Sequence, residues 1–379
     1  MKNKKLVIIS HTEHYLNENG ALVGWGSTVN EINYLADHWN EIVHVACLYE
    51  QEAPASALPY LKLNVGFVKL PPFGGKTLKS KILIITKLPK IIQQVNNALQ
   101  DASEVQLRLP TSIGLFLLPL FAFYWPRKFV FWVKYAGNWN QSKAPLSYRI
   151  QKWFLIKNYA KCKVTINGFW INQPTHCISF ENPCLTHEDV ENGEAMHKEK
   201  DFVSPFVFCF IGRLDENKGM QYVKEALSSI PIQKIKEVHF VGDGPNIEMY
   251  KSQFSFLQEK VIFHGFLPQD EVHDVLKKSN FLLLPSKSEG FPKVIAEAAC
   301  YATIPIVSNV GSVPHYINKT NGFVFDINTQ NYSETMNKAL LTPTPTLKKI
   351  AIDLFPLAKK FTFANYLHKL KVEIFNSKK

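Results

Sequence analysis

Two basic residues follow a strongly apolar run near the middle of the chain. In FCFIGRLDENKG, residues 208–219, the apolar run ends at Gly212, Arg213 follows at once, and Lys218 stands five positions later. At the carboxyl end of a parallel strand the chain turns into a helix whose first amides are free to bind anions. Arginine offers phosphate oxygens a planar fork and lysine a mobile point charge. The pattern predicts that Arg213 and Lys218 hold a diphosphate, although a basic surface turn also fits these residues taken alone.

A second apolar run ends in glycines. In VHFVGDGPN, residues 238–246, Gly242 and Gly244 permit a tight turn and the close approach of a ligand. Ile247 stands where a GxGxxG dinucleotide motif requires its third glycine, and no GxxxxGK[ST] phosphate loop occurs in the sequence. The wall of a binding site and a plain structural turn both fit this segment.

Two carboxylates lie eight positions apart in a third segment, residues 281–317. Pro292 suits the first turn of a helix, which places Glu289 in the loop before that helix and Glu297 in its second turn. Both can then face one crevice, where carboxylates accept hydrogen bonds from sugar or ribose hydroxyls and helix-start amides meet phosphate. Considered alone, Glu297 is more simply an ordinary helical acid.

Taken together, these segments resemble the donor domain of glycosyltransferase family 4. GRLDENKG, GDGP, the strand end at Gly265 in VIFHGFL, and PSKSEGFPKVIAEA occur in that order. The resemblance is specific over residues 206–325 and loose over the first half. It implies a GT-B fold, with two Rossmann-like domains facing each other across a cleft. It also implies a retaining hexosyltransferase that needs no metal and no cofactor besides its nucleotide-sugar co-substrate.

The resemblance assigns roles to individual residues. Arg213 and Lys218 resemble the pair that holds the donor diphosphate, and with Glu289, which resembles the acid at the donor sugar, they are the predicted catalytic residues. Glu297 resembles the acid that binds the ribose hydroxyls. Further donor contacts are implied at Gly212, Gly242, Gly265, Phe266, Leu267, Gly290, Phe291 and Lys293. Ala302 departs from the family, which commonly has glycine there, and this puts the local turn geometry in doubt.

The first half of the chain carries weaker candidates. GALVGWGSTVNEINYLA, residues 20–36, resembles the family's glycine-bearing first loop, in which Gly24 and Gly26 would let the backbone approach the phosphates. A plain loop fits equally well. Asn138, in the segment KYAGNWN, and His14 are candidates for the acceptor side, with His11 as an alternative, and each also fits a purely structural role.

Elements that could position these residues alternate along both halves. Short apolar strands separated by longer amphipathic stretches are typical of parallel sheets covered by helices. Strands are predicted at residues 6–10, 43–48, 66–70, 104–109, 128–133, 163–166, 206–211, 237–241, 261–263, 281–284, 304–307 and 322–325.

The length of 379 residues predicts two domains, because a single core rarely grows so large. Residues 181–204 are polar and lack periodicity, so we expect a linker there and a boundary near Thr186. The prediction is an acceptor domain over 1–185, a donor domain over 186–345, and a helical tail over 346–379 that packs back on the first domain. Residues 112–125 are expected to form a core helix.

The net charge of +11 is uneven, since residues 1–190 hold 20 Lys and Arg against 12 Asp and Glu. Between residues 105 and 180 there are ten basic residues and no acidic ones. A solvated basic face explains this, as does contact with an anionic membrane or a phosphate-bearing acceptor. Lysines in the segment 76–90 add to the expectation of peripheral attachment to the inner face of the cell membrane.

The apolar run near the N-terminus is too short for the core of a signal peptide. The six cysteines are scattered and include no CxxC pair. A cytoplasmic protein is therefore expected, with a saccharide or lipid-linked saccharide as acceptor in cell-surface polysaccharide synthesis.

The expected mechanism is a retaining transfer without an enzyme nucleophile in the first domain. This favours attack by the acceptor from the face that the leaving group vacates. Alternatives are a nucleotide-sugar epimerase of GT-B fold and a catalytically silent sugar-nucleotide binding protein. No nucleic-acid recognition motif supports a nucleic-acid partner.

Overall fold

The computed structural model describes residues 4–73, 78–125, 128–141 and 144–375. The chain divides into two compact units. Unit 1 consists of Met1–Phe180 together with Leu367–Lys379, and unit 2 consists of Glu181–Tyr366. Most of the tail predicted over 346–379 therefore belongs to unit 2, and only its last part returns to unit 1.

Unit 1 is built on a largely parallel sheet of nine strands among its described residues. The sheet runs in the order β4-β2-β1-β6-β7-β8-β9, with β3 paired to β1 and β5 paired to β3. Only the pairs β1–β2 and β2–β4 are antiparallel in the described sheet. The strands are β1 Lys5–Leu16, β2 Leu22–Trp25, β3 Glu41–Leu48, β4 Ala57–Pro59, β5 Val65–Leu70, β6 Glu104–Leu109, β7 Val130–Tyr135, β8 Lys163–Ile166 and β9 Cys177–Ser179.

The two faces of this sheet differ in polarity because side chains alternate along each strand. One face is apolar and packs on three helices, α2 Leu78–Ala98, α3 Gly114–Phe123 and α4 Leu146–Ile156. The other face receives helix α1, Gly26–Ala36, and carries His44 in the middle of β3 and Arg108 and Lys134 near the carboxyl ends of β6 and β7. Unit 1 therefore has an ordinary core on one side and a buried polar layer on the other.

Unit 2 is built on a parallel sheet in the order β12-β11-β10-β13-β14-β15. Its strands are β10 Phe206–Ile211, β11 Ile235–Val241, β12 Val261–Gly265, β13 Phe281–Leu284, β14 Ile304–Ser308 and β15 Phe323–Phe325. Its helices are α5 His187–Glu199, α6 Met220–Ser228, α7 Ile247–Gln253, α8 Gln269–Lys278, α9 Lys293–Cys300, α10 Thr329–Leu341, α11 Thr344–Lys360 and α12 Phe363–Lys369, the last of which runs on into unit 1. The described helices of both units include none that is long and apolar enough to cross a membrane.

Each predicted strand overlaps a strand of the structure, but several bounds were wrong. Strand β1 continues to Leu16 rather than ending at residue 10, and β7 lies two residues later than predicted. The predicted glycine-bearing loop instead contains β2, with Gly24 inside it, and Gly26 opens α1. Strands β2, β4 and β9 are three or four residues long, too short to produce an apolar alternation.

The predicted linker over residues 181–204 was also wrong, because it contains helix α5. Thr186 caps this helix: its hydroxyl accepts from the Asp189 amide, and the Asp189 carboxylate accepts from the Thr186 amide. This reciprocal capping box supplies helix-start hydrogen bonds that a weakly amphipathic segment lacks otherwise. The spacing of a threonine and an acid three residues later was the available signal.

Lys200, just after α5, fixes the ends of two helices. Its buried ammonium donates to the carbonyl oxygens of Leu276 and Tyr301 at 2.8 and 2.6 Å and to Thr303 Oγ1 at 2.9 Å. These carbonyls lie at the carboxyl ends of α8 and α9, where the helix dipole favours a cation. Burial lowers the pKa of Lys200 to about 7. The three donated bonds nonetheless use all three hydrogens of the charged form, so Lys200 anchors α9 as a cation.

The turn after α9 contains the residue that departs from the family pattern. Ala302 has φ +53°, the left-handed conformation that glycine usually supplies after a helix. Replacing Ala302 with Gly should change the free energy of unfolding by less than about 0.5 kcal/mol. The relief of about 1–2 kcal/mol of backbone strain is offset by the entropy of about 0.4–1 kcal/mol that a glycine adds to the unfolded chain and by about 0.8 kcal/mol for the buried methyl group that is lost. Urea unfolding of the purified protein measures the change.

The control is Ala298→Gly, inside the right-handed helix α9, where glycine should lower stability by about 1 kcal/mol. If Ala302→Gly destabilises as much as Ala298→Gly does, the turn is not strained at this position.

Candidate functional site

The sheet of unit 2 has a switch point between β10 and β13. Strands β11 and β12 extend the sheet on one side of β10, and β13, β14 and β15 extend it on the other. The loops that leave the carboxyl ends of β10 and β13 therefore diverge to opposite faces and leave a crevice between them. Ligands of open α/β sheets bind in such crevices. Arg213, Lys218 and Glu289 all lie in these two loops.

The loop after β10 is shaped around its cations. Gly212 has φ +148°, and Arg213 Nε lies 3.0 Å from Asp215 Oδ2. The other oxygen of Asp215 accepts a hydrogen bond from the Lys218 amide at 3.0 Å and caps a short 3-10 turn. Gly219 ends that turn at φ +84°, and a Cβ there would lie 2.2 Å from the Pro285 oxygen. The loop thus needs glycine where it meets the loop after β13.

An ion pair joins the two loops across the crevice. Lys218 Nζ contacts Glu289 Oε1, and the two side chains are 28% and 12% exposed. A backbone hydrogen bond of 2.8 Å from the Lys287 amide to the Asn217 carbonyl holds the same loops together. The structure therefore pairs two of the predicted catalytic residues, Lys218 and Glu289, whereas Arg213 is two-thirds exposed and contacts Asp215 in the same loop as Lys218.

The start of α9 presents backbone donors beside Glu289. Within the described residues, the amides of Gly290 and Phe291 donate no hydrogen bond to the protein, whereas the Gly290 carbonyl accepts from the Ser312 amide and hydroxyl. Gly311, at φ +56°, approaches Glu289 so closely that a Cβ would lie 1.8 Å from its carbonyl oxygen. The contacts with Gly311 and Ser312 fix the loop, and the amides of Gly290 and Phe291 remain available at the positive end of helix α9.

Phe291 contributes only its backbone to this surface. Its ring is buried, with ring centroids 4.7 Å from Tyr316 and 4.6 Å from Phe361. Lys293 is the first residue of α9 and is partly exposed. The side chain of Phe291 therefore anchors the loop in the core of unit 2.

Glu297 lies in the second turn of α9, as predicted, but outside the ion-paired cluster. Gln269 Nε2 lies 3.4 Å from its carboxylate. Burial raises the pKa of Glu297, and the charges of His273 and Lys293 offset part of that rise. Glu297 has no hydrogen bond or ion pair with Arg213, Lys218 or Glu289 in the described structure. Its predicted role at the ribose stays a prediction.

The ends of β11 and β12 complete this edge of the sheet. Gly242, at φ +125°, would place a Cβ 2.1 Å from the Gly212 oxygen, and its amide donates to the Gly265 carbonyl at 2.7 Å. Gly265 has φ +69° and open space where a Cβ would stand. Phe266 is 42% exposed, whereas Leu267 packs on the core. Close packing requires glycine at position 242, whereas the left-handed backbone favours it at position 265. The predicted donor contacts of these residues stay predictions.

The glycines of unit 1 have neighbours of their own. A Cβ on Gly24 would lie 2.4 Å from His14 Cδ2, and a Cβ on Gly26 would lie 2.7 Å from the Ser56 oxygen. Packing within unit 1 thus accounts for both glycines. Asn138 lines a pocket of about 300 Å³ with Tyr135, Trp139 and Lys152, and its Oδ1 accepts from the Asn140 amide at 3.0 Å. The roles predicted for Gly24, Gly26 and Asn138 stay predictions.

His14 belongs to a buried hydrogen-bond chain. Its Nδ1 lies 3.1 Å from the Thr12 carbonyl, which can only accept, so Nδ1 carries the proton and Nε2 is the acceptor. The Tyr60 hydroxyl therefore donates to His14 Nε2 at 2.8 Å and accepts from His44 Nδ1 at 2.5 Å. His44 Nε2 lies 2.7 Å from Ser10 Oγ, which also donates to Thr12 Oγ1 at 2.8 Å. The bond from Tyr60 to His14 requires a neutral His14 imidazole.

Unit 1 contains a charged cluster that the sequence pattern does not predict. Glu31, on α1, is 2% exposed and binds Arg108 Nη2 at 2.9 Å and Lys134 Nζ at 2.7 and 2.8 Å. These partners stand 77 and 103 residues away along the chain, so no local spacing reveals them. Glu104, the first residue of β6, is likewise buried and accepts from the Trp39 indole.

The second half of the chain matches a known protein family. Residues 192–352 match the family model described as glycosyl transferases group 1. The phosphatidylinositol N-acetylglucosaminyltransferase gpi3 subunit of Schizosaccharomyces pombe is 35% identical over 123 residues, 31% of this chain and 26% of that protein. Glycogen synthase of Finegoldia magna is 28% identical over 146 residues, 35% of this chain and 30% of that protein. The chain spans less than a third of the length of these relatives.

Solved structures match along nearly the whole chain. Sucrose-phosphate synthase from Thermosynechococcus elongatus superimposes with a TM-score of 0.71 at 16% identity, covering 99% of this chain and 100% of that one. Anabaena HepE in complex with UDP and glucose superimposes with a TM-score of 0.66 at 13% sequence identity, covering 97% of this chain and 98% of that one. Two α/β units with parallel sheets thus define a protein of the GT-B fold class. The match of residues 192–352 to the group 1 glycosyl transferases confirms the family resemblance predicted for the donor domain.

The histidine chain makes the stability of unit 1 depend on pH. Burial lowers the pKa of His14 to about 4 and that of His44 well below its usual value. The unfolded chain, with a histidine pKa near 6.5, then binds protons that the folded state excludes. Stability should be fully present above about pH 6.5 and should fall as pH drops towards 4, by about 3 kcal/mol for His14. Urea unfolding at a series of pH values measures this loss.

His14→Gln, which keeps an acceptor for Tyr60 but cannot titrate, is the comparison. The difference in unfolding free energy between wild type and this variant should shrink between pH 7 and pH 5. An unchanged difference would show that His14 does not contribute to the pH dependence.

Removing the Glu31 charge should be strongly destabilising. Glu31→Gln leaves Arg108 and Lys134 buried without their carboxylate, which costs about 3–5 kcal/mol. The surface pair of Asp37 and Lys62, with side chains 53% and 41% exposed, supplies the control. Asp37→Asn should cost less than about 1 kcal/mol. Equal losses in the two variants, measured by chemical unfolding, would contradict the burial argument.

Proposed function

We propose that this protein is a retaining, metal-independent glycosyltransferase that moves a hexosyl group from a UDP- or GDP-linked sugar to a saccharide or lipid-linked saccharide. The observation that carries the proposal is the pairing of Lys218 with Glu289 across the switch point of unit 2, beside the amides that open α9. A cation, a carboxylate and free amides at one sheet edge match the phosphate, hydroxyl and oxyanion groups of a nucleotide sugar.

The donor diphosphate is proposed to lie between Arg213, Lys218 and the amides of Gly290 and Phe291. Arg213 reaches it from an exposed position, and Asp215 holds its guanidinium near the mouth of the crevice. Glu297 is proposed to bind the ribose, and the backbone of Gly265, Phe266 and Leu267 to lie along the base. That HepE has been solved with UDP-glucose supports a nucleotide sugar as the ligand of this fold.

Glu289 is proposed to hold the donor sugar through its hydroxyls. The carboxylate of Glu289 is held by Lys218, and the backbone of Glu289 packs against Gly311. Such support fixes a group before substrate arrives, which lowers the cost of orienting the sugar. Because Lys218 is shared between the carboxylate and the diphosphate, donor binding and sugar recognition are coupled through one ammonium.

The transfer is proposed to proceed by attack from the face of the leaving group. The bond from the anomeric carbon to the phosphate oxygen breaks, the acceptor oxygen bonds to the same carbon, and the acceptor proton passes to the departing phosphate. Arg213 and Lys218 stabilise the negative charge that develops there, with about 2.7–4 kcal/mol for each preorganised donor. In unit 1, Glu31 is held by two cations and Glu104 by Trp39, so neither supports a covalent alternative.

The proposal places the protein in the cytoplasm, at the inner face of the cell membrane, in the assembly of a cell-surface polysaccharide. The excess of basic residues in the first half of the chain supports contact with anionic groups there. Of the lysines in the segment 76–90, Lys76 and the side chains of Lys79 and Lys81 lie outside the described residues, while Lys87 donates to the Pro72 carbonyl at 2.6 Å.

Calorimetry against UDP- and GDP-linked sugars, with a chelator present, tests the donor site. Wild type should bind one nucleotide sugar more tightly than the bare nucleoside diphosphate. Glu289→Ala should lose that preference by about tenfold or more, since a hydrogen bond to a charged group contributes about 1.5–3 kcal/mol. The same variant should bind the bare diphosphate at least as well as wild type, because Lys218 is released from its partner. Lys218→Ala should weaken both ligands.

The control is Glu248→Ala, which removes the carboxylate of an exposed Lys–Glu pair on α7 and should change neither affinity. Absence of binding across the panel, or binding only with a divalent metal, would contradict the assignment. An epimerase would convert the bound sugar without an acceptor, and a silent binding protein would bind the donor without turning it over in the presence of any acceptor.

A further inference from the structure

Several large apolar side chains on α3 and α4 face solvent. Phe123 is 74% exposed, Tyr124 72%, Leu146 68% and Trp153 51%. Together with Ile150 and Ile156, these residues are here named the α3–α4 patch. Monomeric proteins rarely leave so many large apolar groups uncovered in one region, and such surfaces mark protein or membrane contacts.

Ring contacts show that the patch is continuous. Phe123, at the end of α3, lies edge-on to Phe154 on α4, with ring centroids 6.2 Å apart. Phe154 in turn contacts Tyr159 at 5.2 Å, and Trp153 contacts the same tyrosine at 5.4 Å. One aromatic surface therefore extends from the end of α3 across α4 to the residues that follow it.

Helix α4 is apolar on both sides. Its inward face buries Phe154 and Leu155 in the core of unit 1. Its outward face carries Leu146, Ile150 and Trp153 at spacings of four and three, which align them along one side of the helix. A surface helix usually turns polar residues outward, so this outer stripe is suited to a second apolar environment.

Charge selects the kind of environment. Arg149 and Lys157 are exposed on or just after the same helix, and Lys128 is exposed in the loop after α3. The sequence from residue 105 to 180 contains no acidic residue. Two copies of the patch placed face to face would bring like charges together, whereas an anionic lipid surface would neutralise them.

The composition of the patch also fits an interface between water and lipid. Tryptophan and tyrosine favour that depth because their rings combine an apolar body with a polar tip. Beside Trp153, the pocket lined by Asn138, Trp139 and Tyr148 holds Lys152, whose ammonium lies 5.2 Å from the Trp139 ring centroid. Lys152 therefore adds a cation beside the apolar side chains of the patch, which is the combination that anionic interfaces attract.

We propose that the α3–α4 patch docks unit 1 on an anionic lipid bilayer, with Ile150 and Trp153 inserted and Arg149 and Lys157 paired with headgroup phosphates. The lysine-rich segment 76–90 is not required for this contact. The proposal goes beyond the glycosyltransferase activity and does not depend on it, because no residue of the donor site takes part.

Vesicle co-sedimentation of the full-length protein tests the proposal. Wild type should bind vesicles that contain phosphatidylglycerol, bind much less to phosphatidylcholine alone, and lose binding as salt is raised. Ile150→Ser combined with Trp153→Ser should weaken binding more than tenfold, since two apolar groups leave the lipid boundary. Arg149→Gln combined with Lys157→Gln should weaken it about tenfold or more, and only for anionic vesicles.

The matched control is Leu341→Ser with Ile352→Ser, two exposed apolar residues of unit 2, which should leave vesicle binding unchanged. Equal loss in this control, or no wild-type binding to anionic vesicles at low salt, would overturn the proposal. So would a dimer in sedimentation velocity that the Ile150 and Trp153 changes abolish, because a second copy would then cover the patch. Donor binding, measured in parallel, should be the same in all of these variants, so a failure of the donor site is recognised separately.

Discussion

The close approach of two loops at the switch point of unit 2 is the constraint on which the proposed donor site depends. The loop after β10 and the loop after β13 leave the sheet towards opposite faces, yet Gly219 lies against Pro285 with no room for a side chain. This contact brings Lys218 within reach of Glu289. A larger residue at position 219 would push the two loops apart and separate Lys218 from Glu289. The contacts proposed for Lys218 with the diphosphate and for Glu289 with the sugar both need that pairing.

Support for this site comes from elements that carry no ligand contact themselves. Lys200 binds the carbonyl ends of α8 and α9, and Phe291 anchors the loop before α9 among buried aromatic rings. Unit 1 shows a comparable division: an apolar core on one face of its sheet and a layer of fully partnered charges and imidazoles on the other. Buried polar layers of this kind favour one arrangement of their elements, because a displaced neighbour leaves a charge unpaired.

The donor edge could be predicted because its residues are local in sequence. Arg213 and Lys218 follow a clear strand, Glu289 precedes a proline that opens a helix, and parallel topology then places them at one edge. The polar layer of unit 1 could not, since Glu31 finds Arg108 and Lys134 only after three distant segments pack together. Helix α5 was mistaken for a linker because its apolar periodicity is weak, and the cap at Thr186 that stabilises it was overlooked.

The anchoring of Phe291 has an evolutionary consequence. Its ring serves the core while its amide serves the crevice, so the proposed phosphate contact at this residue is made by an atom that every amino acid except proline possesses. Side-chain drift cannot erase that contact without first disturbing the fold. The group proposed at the donor sugar, the carboxylate of Glu289, is instead a side chain and can be exchanged without any change in the backbone. A scaffold of this kind can acquire a new sugar specificity while the proposed backbone contact at Phe291 stays the same.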